Sequence, residues 1–372
     1  MDKRIKVLAF TPNLWAGGAE KVAVTVAGWL DPDSFDVCLA VLDGSNAFHK
    51  VPSHVRYEVL GCRRARYSLQ SLARLVRRFQ PDIVWCVHPH TAAMAAIART
   101  VMRLDYSLVV GISTNRTDSS RLVDLFTSWV FGRAEAVIVL TEHMRRSLAK
   151  SGVDESKLTV IGNPIDLEEI TSKSRQTVEH PYFLGKHPPI IVNVSRLTAE
   201  KGHTLLLKAF KSVRERRPCR LVLIGDGPLR KMLALKASRL GISEDVAFLG
   251  AQENPHKFVS RSDVFVLPSE YEGLPLVALE AMACNTPLII SDYAGSQELV
   301  EDGVDGMIGK RESADDFAEK IELILSDRKI ASSLAKKAGD KAKAYDVKVV
   351  IKEYGRVFRE AAEKTLRGGV PK

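Results

Sequence analysis

Short apolar runs alternate with helical stretches along most of this chain, and the alternation starts over once. Ile5 to Phe10, Val37 to Leu42, Ile83 to Val87, Leu108 to Ile112 and Ala136 to Leu140 read as strands, with helices between them such as Glu20 to Leu30 and Thr91 to Arg103. Strands separated by helices pair in parallel, because the helix is the crossover that a parallel pair needs. The series closes near Val160 to Asp166. Thr171 to Pro189 is polar, proline-bearing and poorly periodic, as a linker is. A second series then runs through Ile190 to Val194, Arg220 to Ile224, Val246 to Leu249, Val264 to Leu267 and Leu288 to Ile290. The pattern predicts an α/β protein with two doubly wound sheets in tandem: a first domain over 1–166, a linker over 167–187 and a second domain over 188–347. The charged tail from about Asp315 to Leu366 reads as two or more helices. Ligands of such sheets bind beyond the carboxyl ends of the strands, so two sheets facing each other would define a cleft.

A length of 372 residues accommodates two domains of ordinary size, and 45% hydrophobic with 27% charged residues is a globular composition. No apolar run approaches the ~18 residues of a membrane span. Met1 to Ile5 passes straight into a strand without a signal-peptide core, so a cytoplasmic location is expected. The five cysteines, at 38, 62, 86, 219 and 284, form no C-x-x-C pair, which argues against a zinc site or a disulfide framework.

The densest chemistry lies between Ser269 and Ala283. A buried strand ends at Pro268-Ser269, a turn carries Glu272 and Gly273, and Pro275 suits the first helical position. The first N–H groups of that helix, around Leu274 and Leu276, with Gly273 permitting close approach, make an anion site. Glu280 shares a face with Leu276 and tilts back toward the helix mouth, whereas Glu272 projects from the turn. Two carboxylates beside an anion would repel bare phosphate, which points to hydroxyls attached to it. Taken alone, an E-x7-E spacing favours two solvated surface residues, since charged side chains are mostly exposed.

The surrounding segments bear on that choice. Asn193 to His203 follows a strand and opens a helix, and Lys201 at a helix start opposes the dipole unless an anion lies between. Arg196 adds a planar fork suited to phosphate oxygens. Gly225-Asp226-Gly227-Pro228, Phe248-Leu249-Gly250 and Gly295 to Gly306 follow in order. Together the five segments resemble the retaining glycosyltransferases of family 4, in which a GT-B fold of two Rossmann-like domains binds a nucleotide-sugar. The resemblance implies that Arg196 and Lys201 hold the diphosphate, Glu280 the ribose and Glu272 the donor sugar. It further implies that Gly225 and Gly227 line the donor site, that the base meets the backbone near Ala251 and Gln252, and that the last helix, about 348–372, crosses back onto the first domain. The family often has Gly where this chain has Ser195.

In the first domain, Ala16-Gly17-Gly18-Ala19-Glu20 lacks the spacing of a dinucleotide fingerprint. The resemblance puts Gly17 and Gly18 close to the donor phosphates, although the pair also fits a plain βα turn. His88-Pro89-His90 follows a strand end and is assigned either to the acceptor side or to structure, since no metal-ligand partner accompanies it. Family members often carry a sugar-contacting His near Asn115 and Arg116, where this chain has none. Asn115 is assigned to the donor neighbourhood and Arg116 to the acceptor side.

Arg63, Arg64, Arg66, Arg74, Arg77 and Arg78 occupy a stretch without acids. Ser68 can cap a helix that buries Leu69, Leu72, Val76 and Phe79. Its basic residues read either as a solvated face or as a patch for anionic lipid or a pyrophosphate-linked acceptor. No nucleic-acid-binding motif accompanies the charge. The expectation is a retaining transferase that moves a hexose or N-acetylhexosamine from a UDP-sugar, less so a GDP-sugar, to a glycan or lipid-linked acceptor in cell-surface polysaccharide assembly. It would act at the cytoplasmic membrane face, with no cofactor and no obligatory metal. The rivals are a UDP-sugar 2-epimerase and a non-catalytic nucleotide-sugar-binding module.

Overall fold

The computed structural model describes residues 4–45, 47–113 and 128–367. It divides into two compact units, Met1–Pro164 with Val347–Lys372, and Ile165–Asp346.

The first unit holds strands β1 (Ile5–Thr11), β2 (Phe35–Val41), β3 (Arg56–Val59), β4 (Ile83–Cys86), β5 (Ser107–Ile112), β6 (Ala136–Val139) and β7 (Leu158–Val160). They form one parallel sheet in the order β3-β2-β1-β4-β5-β6-β7. The chain winds one way from β1 through β2 to β3 and the other way from β4 onward, so the switch point lies between β1 and β4. Its described helices include α1 (Gly18–Trp29), α2 (Leu69–Phe79), α3 (Pro89–Val101) and α4 (Glu142–Lys150). In α2, Leu72, Ala73, Leu75, Val76 and Phe79 are buried while the arginines stay out. Ser68 does not cap it as expected. The hydroxyl donates 2.6 Å to the Ala65 carbonyl because a single 3-10 turn precedes the helix and offers that acceptor.

The second unit holds β8 (Ile190–Val194), β9 (Arg220–Ile224), β10 (Val246–Gly250), β11 (Val264–Leu267), β12 (Leu288–Ser291) and β13 (Met307–Gly309), parallel in the order β10-β9-β8-β11-β12-β13. Here the switch point falls between β8 and β11. Helices α5 (Leu167–Ser174), α6 (His203–Arg216), α7 (Arg230–Arg239), α8 (His256–Val259), α9 (Leu276–Ala283), α10 (Ser296–Leu299), α11 (Ala314–Ser326) and α12 (Arg328–Ala342) complete it. Leu206, Phe210, Leu221, Val264 and Phe317 pack in its core, each worth ~1.5–3 kcal/mol on burial.

The last helix, α13 (Val347–Arg367), belongs to the first unit. Ser107 Oγ donates 2.6 Å to its Ala361 carbonyl, and Tyr354 and Phe358 set their rings 5.5 and 5.7 Å from that of Trp85.

Two expectations change. Residues 167–187 are no bare linker: Asp166 caps α5 through the Glu169 N–H at 2.8 Å, Ile170 is buried, and α5 packs on α8 and α9. The carbonyls at its far end are taken by Asn254 and Arg261. One buried apolar residue in two turns is too little for periodicity to register. Strands β3, β7 and β13 were likewise unforeseen. Each lies at a sheet edge, and Arg56, Tyr57 and Val59 of β3 are exposed, so no apolar run announces it.

Candidate functional site

At the second switch point, three loops are fastened to one another through backbone. Beyond β8, Ser195 N–H donates to Ile224 O at 3.0 Å and Leu197 N–H to Asp226 O at 2.9 Å. A Cβ on Gly225, whose φ is +131°, would lie 2.0 Å from Ser195 O, and one on Gly227 would lie 2.5 Å from Leu197 O. In this structure these glycines therefore serve the close approach of two loops and fix the backbone around Arg196. Gly225 N–H also donates to Gly250 O at 2.8 Å, which ties in the third loop. There Ala251 is exposed and Gln252 Nε2 donates to Leu249 O at 2.8 Å.

Lys201 and Glu272 meet across the switch point. Lys201 follows β8 and Glu272 follows β11, and Lys201 Nζ lies 2.6 Å from Glu272 Oε1 with side chains only 17% and 11% exposed. The buried Ser269 hydroxyl donates 2.8 Å to the same oxygen. Gly202, at φ +68°, lets the two loops close, because a Cβ there would sit 1.9 Å from Pro268 O. Glu270 N–H completes the seam with a 2.8 Å bond to Glu200 O.

Arg196 remains 63% exposed, with Nη2 3.6 Å from Glu200 Oε1, so its fork is open to an incoming anion. Burial raises the Glu200 pKa. The Thr198 hydroxyl, the residue's own N–H, Arg196 and Lys201 outweigh that and leave the carboxyl below its ordinary range. Beneath the loop, Asn193 Nδ2 donates 2.7 Å to Val266 O, Ser195 Oγ donates 2.8 Å to Asn193 Oδ1, and His203 Nε2 lies 3.1 Å from Ser195 Oγ. Burial first, and Lys201 second, push the His203 imidazole down to about 4. It is neutral at pH 7.

Helix α9 starts at Leu276, with Pro275 as its N-cap rather than its first residue. Gly273, Leu274 and Leu276 are buried at this entry, and Glu280 is 6% exposed. Neither glutamate of the E-x7-E pair is a solvated surface residue.

At the first switch point the geometry differs. His88 stands at the N-cap position of α3 without a side-chain cap bond, Pro89 is the first residue of the helix, and His88 Nε2 lies 3.2 Å from Glu20 Oε1 at side-chain exposures of 21% and 13%. Glu20 sits in the first turn of α1 and folds back over Gly17, where a Cβ would lie 2.1 Å from Oε2. Gly17 is thus occupied by the chain's own carboxylate, while Gly18 stays exposed. His49 Nε2 contacts Gly17 O at 3.1 Å. The rings of His88 and His90 are 5.4 Å apart. Burial raises the Glu20 pKa, but the His88 hydrogen bond and charge turn the balance, and the carboxyl lies below its ordinary value. Asn115 and Arg116 lie outside the described residues.

In the arginine stretch, the Arg66 guanidinium stacks 4.8 Å over the exposed Tyr67 ring, and Arg78 pairs at 2.7 Å with Glu58 from β3. The acid absent from the local sequence is thus supplied by a neighbouring strand. Sequence reasoning gave no role to Glu20, Asn193, Ser195, Ser269 or His203. Glu20 stood three residues past Gly17, where an N-terminal carboxylate reaches back over its helix start, and that was the available signal.

Residues 16–169 match the family described as Glycosyltransferase Family 4, and residues 174–344 match Glycosyl transferases group 1. The chain is 23% identical to an N-acetylgalactosamine-N,N'-diacetylbacillosaminyl-diphospho-undecaprenol 4-alpha-N-acetylgalactosaminyltransferase of Campylobacter jejuni, over 92% of this chain and 96% of that one. It is 28% identical to the alpha-D-kanosaminyltransferase of Streptomyces kanamyceticus, over 80% and 82%. Anabaena Alr3699/HepE, solved in complex with UDP-glucose, superposes with a TM-score of 0.81 at 19% identity, over 96% of this chain and all of that one (100%). With both halves matched in order and two Rossmann-like parallel-sheet units, the chain belongs to the family-4 type of glycosyltransferases and has the GT-B fold.

Proposed function

We propose that this glycosyltransferase is a retaining enzyme that takes a hexose or N-acetylhexosamine from a UDP-sugar and passes it to a glycan or lipid-linked acceptor in polysaccharide or glycolipid assembly. The observation that carries the donor reading is the Lys201–Glu272 pair, sparsely exposed and set where an open α/β sheet binds ligands. A nucleotide-sugar suits both partners at once. Its diphosphate takes Lys201 and the open Arg196 fork, and its sugar hydroxyls donate to Glu272, so neither charge is stranded on binding. Glu280 serves the ribose, and the entry of α9 at Gly273, Leu274 and Leu276 adds N–H dipoles to the diphosphate. Catalysis is then positioning plus stabilisation of the departing diphosphate, whose oxygen takes the acceptor proton. The Campylobacter relative, named for a diphospho-undecaprenol substrate, and the neighbour holding UDP-glucose support this class of donor and acceptor.

In this proposal Arg196 and Lys201 fill the place of a divalent metal, so excess EDTA leaves turnover unchanged. The arginines at 63, 64, 66, 74, 77 and 78 are proposed to meet an anionic membrane surface. An Arg74/Arg77/Arg78 triple Ala variant then binds phosphatidylglycerol vesicles at least tenfold more weakly, and unchanged binding returns them to a solvated face. Among the described residues no helix is long and apolar enough to cross a membrane.

The deciding experiment measures nucleotide release from a panel of UDP- and GDP-sugars with bacterial lipid extract, recording product mass and anomeric configuration. Release from a UDP-sugar with the α-configuration retained supports the proposal. An inverted product removes the retaining mechanism, and an epimer without free UDP replaces transfer by epimerisation.

A further inference from the structure

The first switch point carries a polar pair that the donor site does not use. Glu20 and His88 come from different elements, α1 and the cap of α3, and meet at 3.2 Å between Nε2 and Oε1. Their placement is specified by backbone: Gly17 leaves room for the carboxylate, and Pro89 opens α3 directly after His88. An ionised carboxylate can only accept, so the imidazole nitrogen facing it must carry the proton. In the neutral imidazole that fixes the tautomer and leaves Nδ1 with its lone pair, the arrangement in which a carboxylate orients a histidine toward a hydroxyl. The hydroxyl of Thr11, at the end of β1 on the same sheet edge, is fully buried with no hydrogen-bond partner among the described residues and adds a second polar atom there.

We propose that His88 Nδ1 accepts the hydrogen bond of an acceptor-sugar hydroxyl other than the attacking one, whose proton goes to the diphosphate, with Glu20 as the positioning residue that holds the imidazole in the Nε2–H form. This rests on the proposed transfer reaction and adds the group that recognises its acceptor. Glu20 also balances the histidines around it, since His49 and His90 lie beside the pair.

Two measurements test it on the full-length protein. Long-range proton–nitrogen spectra of 15N-histidine-labelled enzyme, with His88 assigned by its loss in His88→Gln, should show the Nε2–H tautomer in the wild type and a tautomer mixture in Glu20→Ala. An Nδ1–H form in the wild type overturns the proposal without touching the donor assignment. In the lipid-extract assay with the active UDP-sugar, His88→Gln and Glu20→Ala should lower transfer at least tenfold, with UDP affinity by calorimetry changed less than twofold. Glu20→Gln, whose amide oxygen can still accept from Nε2–H, should recover part of the loss. Unaltered transfer in His88→Gln, or UDP affinity falling as far as transfer, overturns the assignment. Absence of turnover with every donor in the wild type would instead count against the transfer reaction, and the tautomer measurement would still judge the pair.

Discussion

Both sheets place ionisable residues at the point where strand order reverses, yet the two points are built differently. In the second unit a lysine faces a carboxylate at 2.6 Å, and the loops carrying them approach so closely that glycine is required at 202, as it is at 225 where the loop after β9 meets the loop after β8. In the first unit a carboxylate faces an imidazole at 3.2 Å, and the space at Gly17 is taken by the flexible end of Glu20. The topology sets where a ligand can sit, and the side chains set its kind. A lysine–carboxylate pair on locked backbone, with the Arg196 fork open beside it, suits a sugar-bearing anionic diphosphate that must be held rigidly. A carboxylate–imidazole pair on a side-chain hinge suits a neutral hydroxyl.

The largest effect expected is at the locked point. Lys201→Ala should lower turnover by roughly a thousandfold, as removal of a group that stabilises developing charge does. It should also lower thermal stability by leaving Glu272 unpaired; adding Glu272→Ala should restore stability but not turnover. If the double variant were active, the pair would be structural and the contrast between the two sheets would collapse.

The glycines separate the two points next. Gly202→Ala and Gly225→Ala each force a Cβ into a carbonyl at positive φ and should cost ~3 kcal/mol or more in denaturant melts. Gly17→Ala meets only the movable Glu20 carboxylate, so the melt should shift by under ~0.5 kcal/mol while the His88 tautomer signal changes. Equal destabilisation at all three positions would show that the first point is locked as well.

The buried His203 gives a pH signature to the second unit. Its folded pKa of about 4 lies below the ordinary 6.5, so between these values the unfolded chain binds the extra proton. Stability should therefore fall as pH drops from about 6.5 toward 4, by roughly 3 kcal/mol from this residue. His203→Gln should flatten that acid limb in urea titrations at successive pH values, and an unchanged slope would show that His203 is not held neutral. The last effect concerns Glu280. Glu280→Gln should weaken UDP binding about tenfold, the value of a charge-assisted hydrogen bond to a ribose hydroxyl, as read by calorimetry.

Much of this was legible in the chain. The central strands were readable because a buried parallel strand is a near-continuous apolar run, and Ile190–Val194, Arg220–Ile224 and Val264–Leu267 fall where the pattern puts them. Arg196, Lys201, Glu272 and Glu280 could be named because strand ends, glycines and a helix start flank them at fixed spacing. The edge strands β3, β7 and β13 could not, since their pairing comes from long-range backbone bonds and half-exposed residues carry no pattern. Helix α5 stayed hidden for a related reason: its stability comes from the Asp166 cap and from Asn254 and Arg261 far along the chain.

The sequence by itself determined the α/β alternation, its single restart and the residue types gathered at strand ends, because periodicity and turn chemistry are local properties. Tertiary structure alone decided which of those residues meet. Lys201 and Glu272 are 71 residues apart, and Glu20 and His88 are 68 apart. Each pair forms only because the strand order brings two distant carboxyl ends side by side. The same closeness gave the glycines their meaning: Gly225 and Gly227 read as ligand-facing or turn residues in one dimension, and in three they, together with Gly202, are places where one loop's backbone leaves no room for another's side chain.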